Sequence, residues 1–422
     1  MGRLARWRAF RRDMFASQPA RLYHAKMAEM KAPFYRSFTV PDPALARQIL
    51  DDHEAYPKSA FLADTLGPLL GRAVFVTNGA EWARARAVID PAFSGGRVRE
   101  MTPQIHAAGQ VMLSGIWAGI VEVEAMTARA TADVILRAVF SRTIDDARAR
   151  AIFGTFQTYQ RAQPLASPVD LLRLPKWIPR RRRGRRAARQ LRLMVADLIA
   201  DRDGTEDDLL SRLSGPKDSG TGAAFSAEEL VDQAVMFLLA GHETSASGLS
   251  WALYCLALSP ADQLRAAAEV ASCAPTEFAK MPFLRDVWRE ALRLYPPVPM
   301  LPREASKAHS LRGRPVRPGD PVILSPWHSG RHERHWDRPH EFDPSRWSRT
   351  VPHHAWFPFS AGPRICPGAG FATAEGIIFL ALILQNWRLD VVEGDVPRPV
   401  AHLTVRSESG IRIRFSRRKT RI

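Results

Sequence analysis

A cysteine set among glycines and prolines is the most chemically pointed feature of this 422-residue chain, whose residues 357–371 read FPFSAGPRICPGAGF. Gly362, Pro363, Pro367, Gly368 and Gly370 keep helix and regular strand away from Cys366 until a helix opens near Phe371. A sulfur just ahead of a helix N-terminus meets free backbone N–H groups and the positive end of the dipole, and both favour a thiolate. Arg364, two residues earlier, adds positive charge. Inert packing is the common fate of a cysteine. It suits Cys255 and Cys273, which lie among apolar helical neighbours, and suits Cys366 poorly. His353 and His354 stand upstream without a C-x-x-C partner, so zinc spacing is absent. A lone thiolate beside an anion-binding arginine points instead to haem, whose propionates need cationic partners. The overlapping GAGFAT has Thr373 where a dinucleotide loop needs its third glycine, and no buried strand precedes it.

Three further patterns bear on chemistry. SAEELVDQAVMFLLAGHETSASGLSWALYCLAL opens with a capping box, Ser226 with Glu229, and continues with nearly all-round apolar character. That predicts a buried central helix. Its polar interruption is Gly241-His242-Glu243-Thr244-Ser245, where Thr244 can bond a carbonyl one turn back and open the helix. Taken alone, this is an ordinary Ser/Thr bend. REALRLYPP spaces Glu290 and Arg293 at i, i+3, which by itself marks a weak surface ion pair. In GAEWARARAVIDPAF, Trp82 and Arg86 share a helix face.

The elements that must hold these residues are mainly helical. Residues 33–50 predict a short strand and then a helix capped near Asp42. AEWARARAVIDPAF predicts a helix ending at Pro91, residues 101–140 predict two helices, and apolar residues at 191, 194, 195, 198 and 199 predict another. After Pro296 the texture changes to strand-like RPVRPGDPVILSPWHSGRH and VAHLTVRSESGIRIRFSRR. Residues 331–366 between them are rich in Pro, His and Trp and show little periodicity; irregular segments of that length are usually functional.

Apolar residues make up 46% of the chain, enough for a large core. No run is long and apolar enough for a membrane span, and no signal peptide is visible, so a cytoplasmic location is expected. Three cysteines cannot build a disulfide framework, which favours a reducing compartment. The net charge of +17 admits a nucleic-acid binder, an acidic partner or anionic lipid. Nucleic acid is disfavoured because no recognition module or aromatic–basic interleaving accompanies the charge. The basic N-terminal segment within residues 1–30 and LPKWIPRRRRGRR at 174–186 read as solvated, with at most peripheral membrane contact.

FPFSAGPRICPG resembles the haem-binding signature of the cytochrome P450 family, with Phe359, Gly362, Arg364, Cys366 and Gly368 in place and Ala372 and Glu375 in the continuation. Matches in the expected order extend from near residue 33 to the C-terminus. The resemblance implies one P450 domain over 1–422, mainly α with a small β-rich part. It implies haem b with Cys366 as axial thiolate, and Arg364, Trp82, Arg86, Arg303 of LPREA, Phe359 and Gly241 around it. It further implies that Arg346 of FDPSRW joins Glu290 and Arg293 in a structural triad that pins the irregular segment. Ala240 and Gly241 would let the central helix pass close over the haem, and Glu243 and Thr244 would relay protons through water.

The activity so implied is a haem-thiolate monooxygenase placing one atom of O2 into a C–H bond. By position, residues 61–76, Phe237, Ala240, Val298 to Leu301 (with Met300), Leu403 and Thr404 line the pocket. Their apolar character suits a terpenoid, carotenoid, steroid or fatty acid. No nucleotide-binding loop or iron–sulfur cysteine set accompanies the domain, so electrons are expected from a separate ferredoxin and its reductase, in a soluble bacterial-type monomer. Three rivals differ in what they leave unexplained. A peroxygenase does not need Glu243–Thr244, a haem sensor needs an output domain, and a nucleic-acid protein accounts for none of the motifs.

Overall fold

The computed structural model describes residues 13–15, 18–32, 35–162, 182–214, 224–349, 351, 354–401 and 403–418. The first twelve residues, positions 174–181 of the second basic stretch, and His353 lie outside these. The chain opens with a hairpin, β1 (Ala28–Ala32) and β2 (Tyr35–Val40), followed by α1 (Pro43–Asp51) and α2 (Ala60–Leu70). Then come α3 (Gly79–Ala92), α4 (Gly95–Ser114), β3 (Gly119–Glu122), α5 (Val123–Phe140) and α6 (Ala147–Ala162). Helices α7 (Arg182–Ala200), α8 (Leu209–Ser214), α9 (Ala227–Leu258), α10 (Pro260–Ala271) and α11 (Pro282–Leu294) complete the helical half. The remainder carries β4 (Leu301–Glu304), β5 (His309–Leu311), β6 (Arg314–Val316), β7 (Pro321–Leu324) and the short α12 (Pro326–Ser329). Helix α13 (Ala369–Asn386) leads to β8 (Trp387–Val391), β9 (Pro399–Ala401), β10 (Val405–Ser407) and β11 (Arg412–Arg417).

Local chemistry explains where the main elements start. The Asp42 carboxylate accepts the Leu45 N–H at 3.0 Å to cap α1. At α9, Ser226 Oγ accepts from Glu229 N at 3.3 Å while the Glu229 carboxylate accepts from Ser226 N at 2.8 Å, closing the capping box. Helix α3 runs one residue past Pro91, within the usual latitude of a helix end. Helix α13 begins at Ala369, three residues after Cys366, two earlier than the sequence predicts.

Helix α9 is the axis of the molecule, packed by α5, α7, α11 and α13. Its seam with α5 is drawn tight. A Cβ at Gly241 would stand 2.2 Å from Ile135 Cδ1, so the missing side chain there makes room for α5. Thr131 Oγ1 donates to His242 O at 3.0 Å across the same seam. Against the expectation that no run is long and apolar enough for a membrane span, helix α13 alone among the described residues meets that length and hydropathy, and 67% of it is buried inside the fold. It serves as core against α4, α9, α10 and α11. Strands β1-β2-β7-β4 form the largest sheet, with β2 and β7 parallel; β3-β11-β8 form a second, and β5-β6 and β9-β10 are two-stranded.

Candidate active site

The loop ahead of α13 is shaped by backbone bonds. Ser360 N donates to Phe357 O (3.0 Å), Ile365 N to Gly362 O (3.1 Å) and Cys366 N to Phe359 O (2.9 Å). Gly362 has φ 66°, and a Cβ on it would lie 2.6 Å from the Leu50 carbonyl oxygen, so twist and space both demand glycine. The turn presents Cys366 as an exposed cysteine, whereas Cys255 is buried. Protein nevertheless surrounds the sulfur, and burial raises its thiol pKa against the opposing pull of the Gly368 N–H and the Arg86 charge. The residue is thus exposed while protein atoms crowd round its sulfur.

Burial opposes the helix-end effect on this thiol, and a bound metal cation would favour its thiolate form. Arg364 is directed at a backbone carbonyl and an aromatic ring. It donates to His53 O at 3.3 Å and lies over the Trp82 ring at 5.2 Å, whereas Arg86 bonds Ile365 O at 2.6 Å.

Around Trp82 the structure gathers four cations. Lys58 and Arg303 are neighbours across an isolated antiparallel bridge, which explains how residues so far apart in sequence meet. The Lys58 ammonium donates to Val74 O and, at 3.1 Å, to Thr77 O, and lies 5.9 Å from the Trp82 ring centroid. Arg303 Nη1 reaches only the adjacent Pro302 carbonyl, at 3.1 Å. Arg364 Nε and Nη1 are buried without a partner. Arg86 is the exception, paired with Asp90 at 2.8 Å. Burial and then the neighbouring Arg364, Arg303 and Arg86 push the Lys58 pKa down to about 6. Burial lowers Arg303 and Arg364 to about 10.

Buried cations without carboxylates make a strong anion site, because only an anion relieves their desolvation. Haem fits this arrangement. Its two propionates would meet Lys58, Arg303 and Arg364, and one sulfur would approach the iron from the Cys366 side. Among the described residues no three His, Cys, Asp or Glu side chains gather, so a metal at Cys366 must bring its equatorial ligands with it. Lys58 escaped sequence reading because YPKSAF has no spacing cue; its relevance comes from the distant bridge to Arg303.

Replacing Lys58 with Met is expected to act oppositely on the two forms of the protein. Haem loss to an acceptor globin should quicken several-fold, because a propionate partner is gone. The haem-free chain should melt a few degrees higher, because the cost of burying and deprotonating this amine is gone. Its folded-state pKa lies below the unfolded value, so unfolding takes up a proton, and haem-free stability rises with pH from about 6 to about 10.5. That rise should flatten in the variant. Identical melting curves at pH 7 and pH 9 in the parent would remove the premise.

Glu290, Arg293 and Arg346 meet in the core. Arg293 Nε and Nη2 donate to the two Glu290 oxygens at 2.9 and 2.8 Å, and Arg346 Nε donates to Oε1 at 2.8 Å. The remaining guanidinium N–H groups face the irregular segment. Arg293 donates to the carbonyls of Gly330 (2.5 Å), Pro339 (2.7 Å) and Glu341 (2.8 Å), and Arg346 to that of Asp337 (3.0 Å). A segment with short turns but no long helix or sheet ladder thus has several of its carbonyls tied down by two buried side chains.

On α9, every residue from Leu230 to Ala257 is buried except Ala240, Gly241 and Thr244. Ala240 and Thr244, at i and i+4, share one face, so α9 leaves a single incompletely covered stripe there, while Gly241 is turned to Ile135 of α5. Thr244 Oγ1 donates to Ala240 O at 2.6 Å, yet the helix stays continuous there, so the bond does not open it. Glu243 is buried and points elsewhere. Its Oε1 accepts from Thr404 Oγ1 (2.8 Å) and Arg406 Nη2 (2.7 Å), and its Oε2 accepts from Gln160 Nε2 (2.6 Å). None of these three donors was marked as a Glu243 partner by the sequence.

The apolar positions divide. Phe237 and Met300 are buried, and Phe237 packs on Phe93 with ring centroids 5.6 Å apart. Val298 and Leu301 are half-buried and Leu403 is exposed.

Comparisons with known proteins find a family model, relatives and a solved structure that match over most of the chain. The family model for cytochrome P450 matches residues 11–415. Cyclooctatin synthase of Streptomyces melanosporofaciens is 29% identical over 93% of this chain and 89% of its own length. Cyclooctat-9-en-7-ol 5-monooxygenase of the same organism is 29% identical over 90% of this chain and 86% of its own. LUTEIN DEFICIENT 5, a chloroplastic protein of Arabidopsis thaliana, is 28% identical over 90% of this chain and 70% of its own. The crystal structure of the cytochrome P450DA haem domain superposes with a TM-score of 0.83 at 23% identity, covering 93% of this chain and 90% of that one.

Proposed function

The chain belongs to the cytochrome P450 family and is a haem-thiolate monooxygenase, and from that premise we propose that it hydroxylates an apolar terpenoid-type alcohol or olefin with electrons from a separate ferredoxin and its reductase. Bound haem supplies the reductive activation of O2, promoted by electron density from a thiolate ligand. The chain supplies the rest. Cys366 would be the sulfur ligand, and Lys58, Arg303 and Arg364 would take the propionates over the Trp82 ring. Thr244 stands on the open stripe of α9 with its hydroxyl held by Ala240 O, placed to pass a proton through water. Glu243, the next carboxyl back along the helix, would reload it.

The observation that carries this reading is the enclosed but accessible Cys366 together with the single open stripe of α9. Ala240, Val298, Leu301 and Leu403 give the space apolar walls, which favour a hydrocarbon skeleton and keep water scarce. The relative named as a 5-monooxygenase of cyclooctat-9-en-7-ol acts, by that name, at one carbon of an unsaturated alcohol, which supports the same class here. The net charge of +17 favours an acidic electron donor.

A panel of cyclic terpene alcohols and olefins, set against fatty acids and steroids, should convert the ferric haem from low to high spin with the terpenoids only. Products should then form with a surrogate ferredoxin and reductase, and the reduction rate should fall steeply with added salt. Spin conversion by fatty acids alone would refute the substrate class. A reduction rate indifferent to salt would refute the acidic partner.

A further inference from the structure

The short β9–β10 hairpin is held from outside. Ala401 stands opposite Val405 across it, and the backbone groups of both residues bond outward. Val405 N donates to Pro297 O at 2.9 Å, and Val405 O accepts from Ser247 Oγ of α9 at 2.6 Å. On the other strand, Ala401 N donates to the Asp13 carboxylate at 2.9 Å, and Ala401 O accepts from Met14 N at 3.1 Å. With one side-chain and one main-chain bond, residues 13 and 14 cover the outer edge of β9, although almost the whole chain separates them from it. The Asp13 side chain is 6% exposed and also takes the Phe15 N–H at 3.0 Å, and Arg398, just ahead of β9, stands 3.8 Å away.

Phe15 carries the tether onward. Its ring stacks on Trp327 of α12 with centroids 4.0 Å apart. Trp327 N donates to Pro299 O at 3.4 Å, and Trp327 Nε1 donates to the Tyr23 hydroxyl at 3.1 Å. Tyr23 O in turn accepts from Glu333 N at 2.8 Å, which fixes the far end of the same segment. The contacts close a ring from Asp13 to Ala401, across the hairpin to Val405, on to Pro297 and Pro299, and through Trp327 back to Phe15. Val298 lies between the two prolines, and Leu403 lies on the connection between β9 and β10.

We propose that Asp13 and Phe15 are positioning residues for substrate selection, fixing the Leu403 turn against the wall formed by Val298 and Leu301 and so setting the width of the apolar site. This deepens the monooxygenase reading above and rests on it. Three residues of paired strand are too few to hold a hairpin by themselves, so its posture is set by what is bonded to its edges. Loss of the Asp13 carboxylate frees the edge at β9 and strips two N–H groups of their acceptor. The edge at β10 keeps its bonds to Pro297 and α9, so the turn shifts about that edge while the hairpin stays in place. The cysteine loop shares none of these bonds.

The test uses haem-loaded protein and three azoles of graded bulk: imidazole, 4-phenylimidazole and 1-tritylimidazole. Their binding to the haem iron is read from the Soret shift and needs no knowledge of the substrate. In Asp13→Ala, imidazole should bind as in the parent, because it is too small to reach either wall. 4-Phenylimidazole should bind several-fold more weakly, having lost a fixed wall, and 1-tritylimidazole several-fold more tightly. Phe15→Leu keeps apolar bulk without the stacked ring and should shift the same ratios by less. Asp13→Asn keeps an acceptor oxygen and should restore most of the parent pattern. Asp208→Ala is the control for general loosening, since it breaks a buried pair with Arg202 at 2.7 Å between α7 and α8 and touches no residue of the ring. It should melt lower and leave the ratios unchanged. Unmoved ratios in both Asp13→Ala and Phe15→Leu overturn the proposal, and so does an equal shift in Asp208→Ala. The ferrous carbon-monoxide spectrum separates these failures from failure of the reading beneath, since they can occur with a thiolate-type Soret band present. A parent protein without that band refutes the reading itself.

Discussion

Serine at position 366 is expected to leave a folded chain that no longer gives the long-wavelength Soret band of a ferrous carbon-monoxide thiolate complex and whose hydroxylation falls below detection. The fold should survive because the loop is held by main-chain bonds, Cys366 N to Phe359 O at 2.9 Å and Ala369 N to Cys366 O at 3.4 Å, which serine keeps. Haem should still associate, because the cations around Trp82 are untouched. What disappears is the donor. A serine hydroxyl holds its proton far more tightly than a thiol and supplies little of the electron density that favours O–O cleavage. The same change at Cys255 should alter neither spectrum nor turnover, because that thiol is buried in α9 and its pKa is pushed further up by burial. A Cys366→Ser protein with the parent spectrum and turnover would end the assignment of this sulfur as the ligand.

The sequence made some of this legible and concealed the rest for identifiable reasons. Helix α9 could be read in full because its start is written locally, in Ser226 and Glu229, and its apolar run is long. The cysteine loop was equally plain, since glycine at 362 answers a positive φ that few other residues adopt. Strand β3 was missed. Its four residues are too few to show alternation, and its partner, β11, lies at the far end of the chain. Lys58 was hidden for the same reason, being made relevant by Arg303, and so was the clamp on Glu243, built from positions 160, 404 and 406.

The burial that opposes a thiolate at Cys366 was hidden for a different reason. Helix-end and arginine effects can be seen in sequence, whereas desolvation depends on all the protein that closes around the sulfur. Gly241 shows a further limit. A small residue on a central helix announces a close approach, and only the packed structure tells that the approaching group is Ile135 of α5.

Glu290→Ala should be the most destabilising single substitution in the chain, costing roughly 3–5 kcal/mol in urea unfolding of the haem-loaded protein. The carboxylate accepts five hydrogen bonds: three on Oε1, from Arg293 Nη2, Arg346 Nε and Asp343 N, and two on Oε2, from Arg293 Nε and Trp347 Nε1. Both Glu290 and Arg293 have fully buried side chains, and that of Arg346 is 8% exposed. Removing the anion strands two guanidinium groups that water cannot reach, one of them stacked 5.1 Å from the Trp336 ring. The damage should also be directional. Those arginines hold the carbonyls of residues 330–341, and the same irregular stretch runs on to Phe359 and the cysteine loop. The variant should therefore lose its thiolate-type spectrum at lower urea than its helical signal, whereas the parent loses the two together.

Glu290→Gln keeps acceptors without the charge and should fall between parent and alanine. An internal control lies nearby on the surface. Arg338 and Glu341 pair at 2.9 Å with both side chains about half exposed, so Glu341→Ala should cost less than about 1 kcal/mol. If Glu290→Ala cost no more than that surface variant, the buried triad would not be what orders the approach to Cys366.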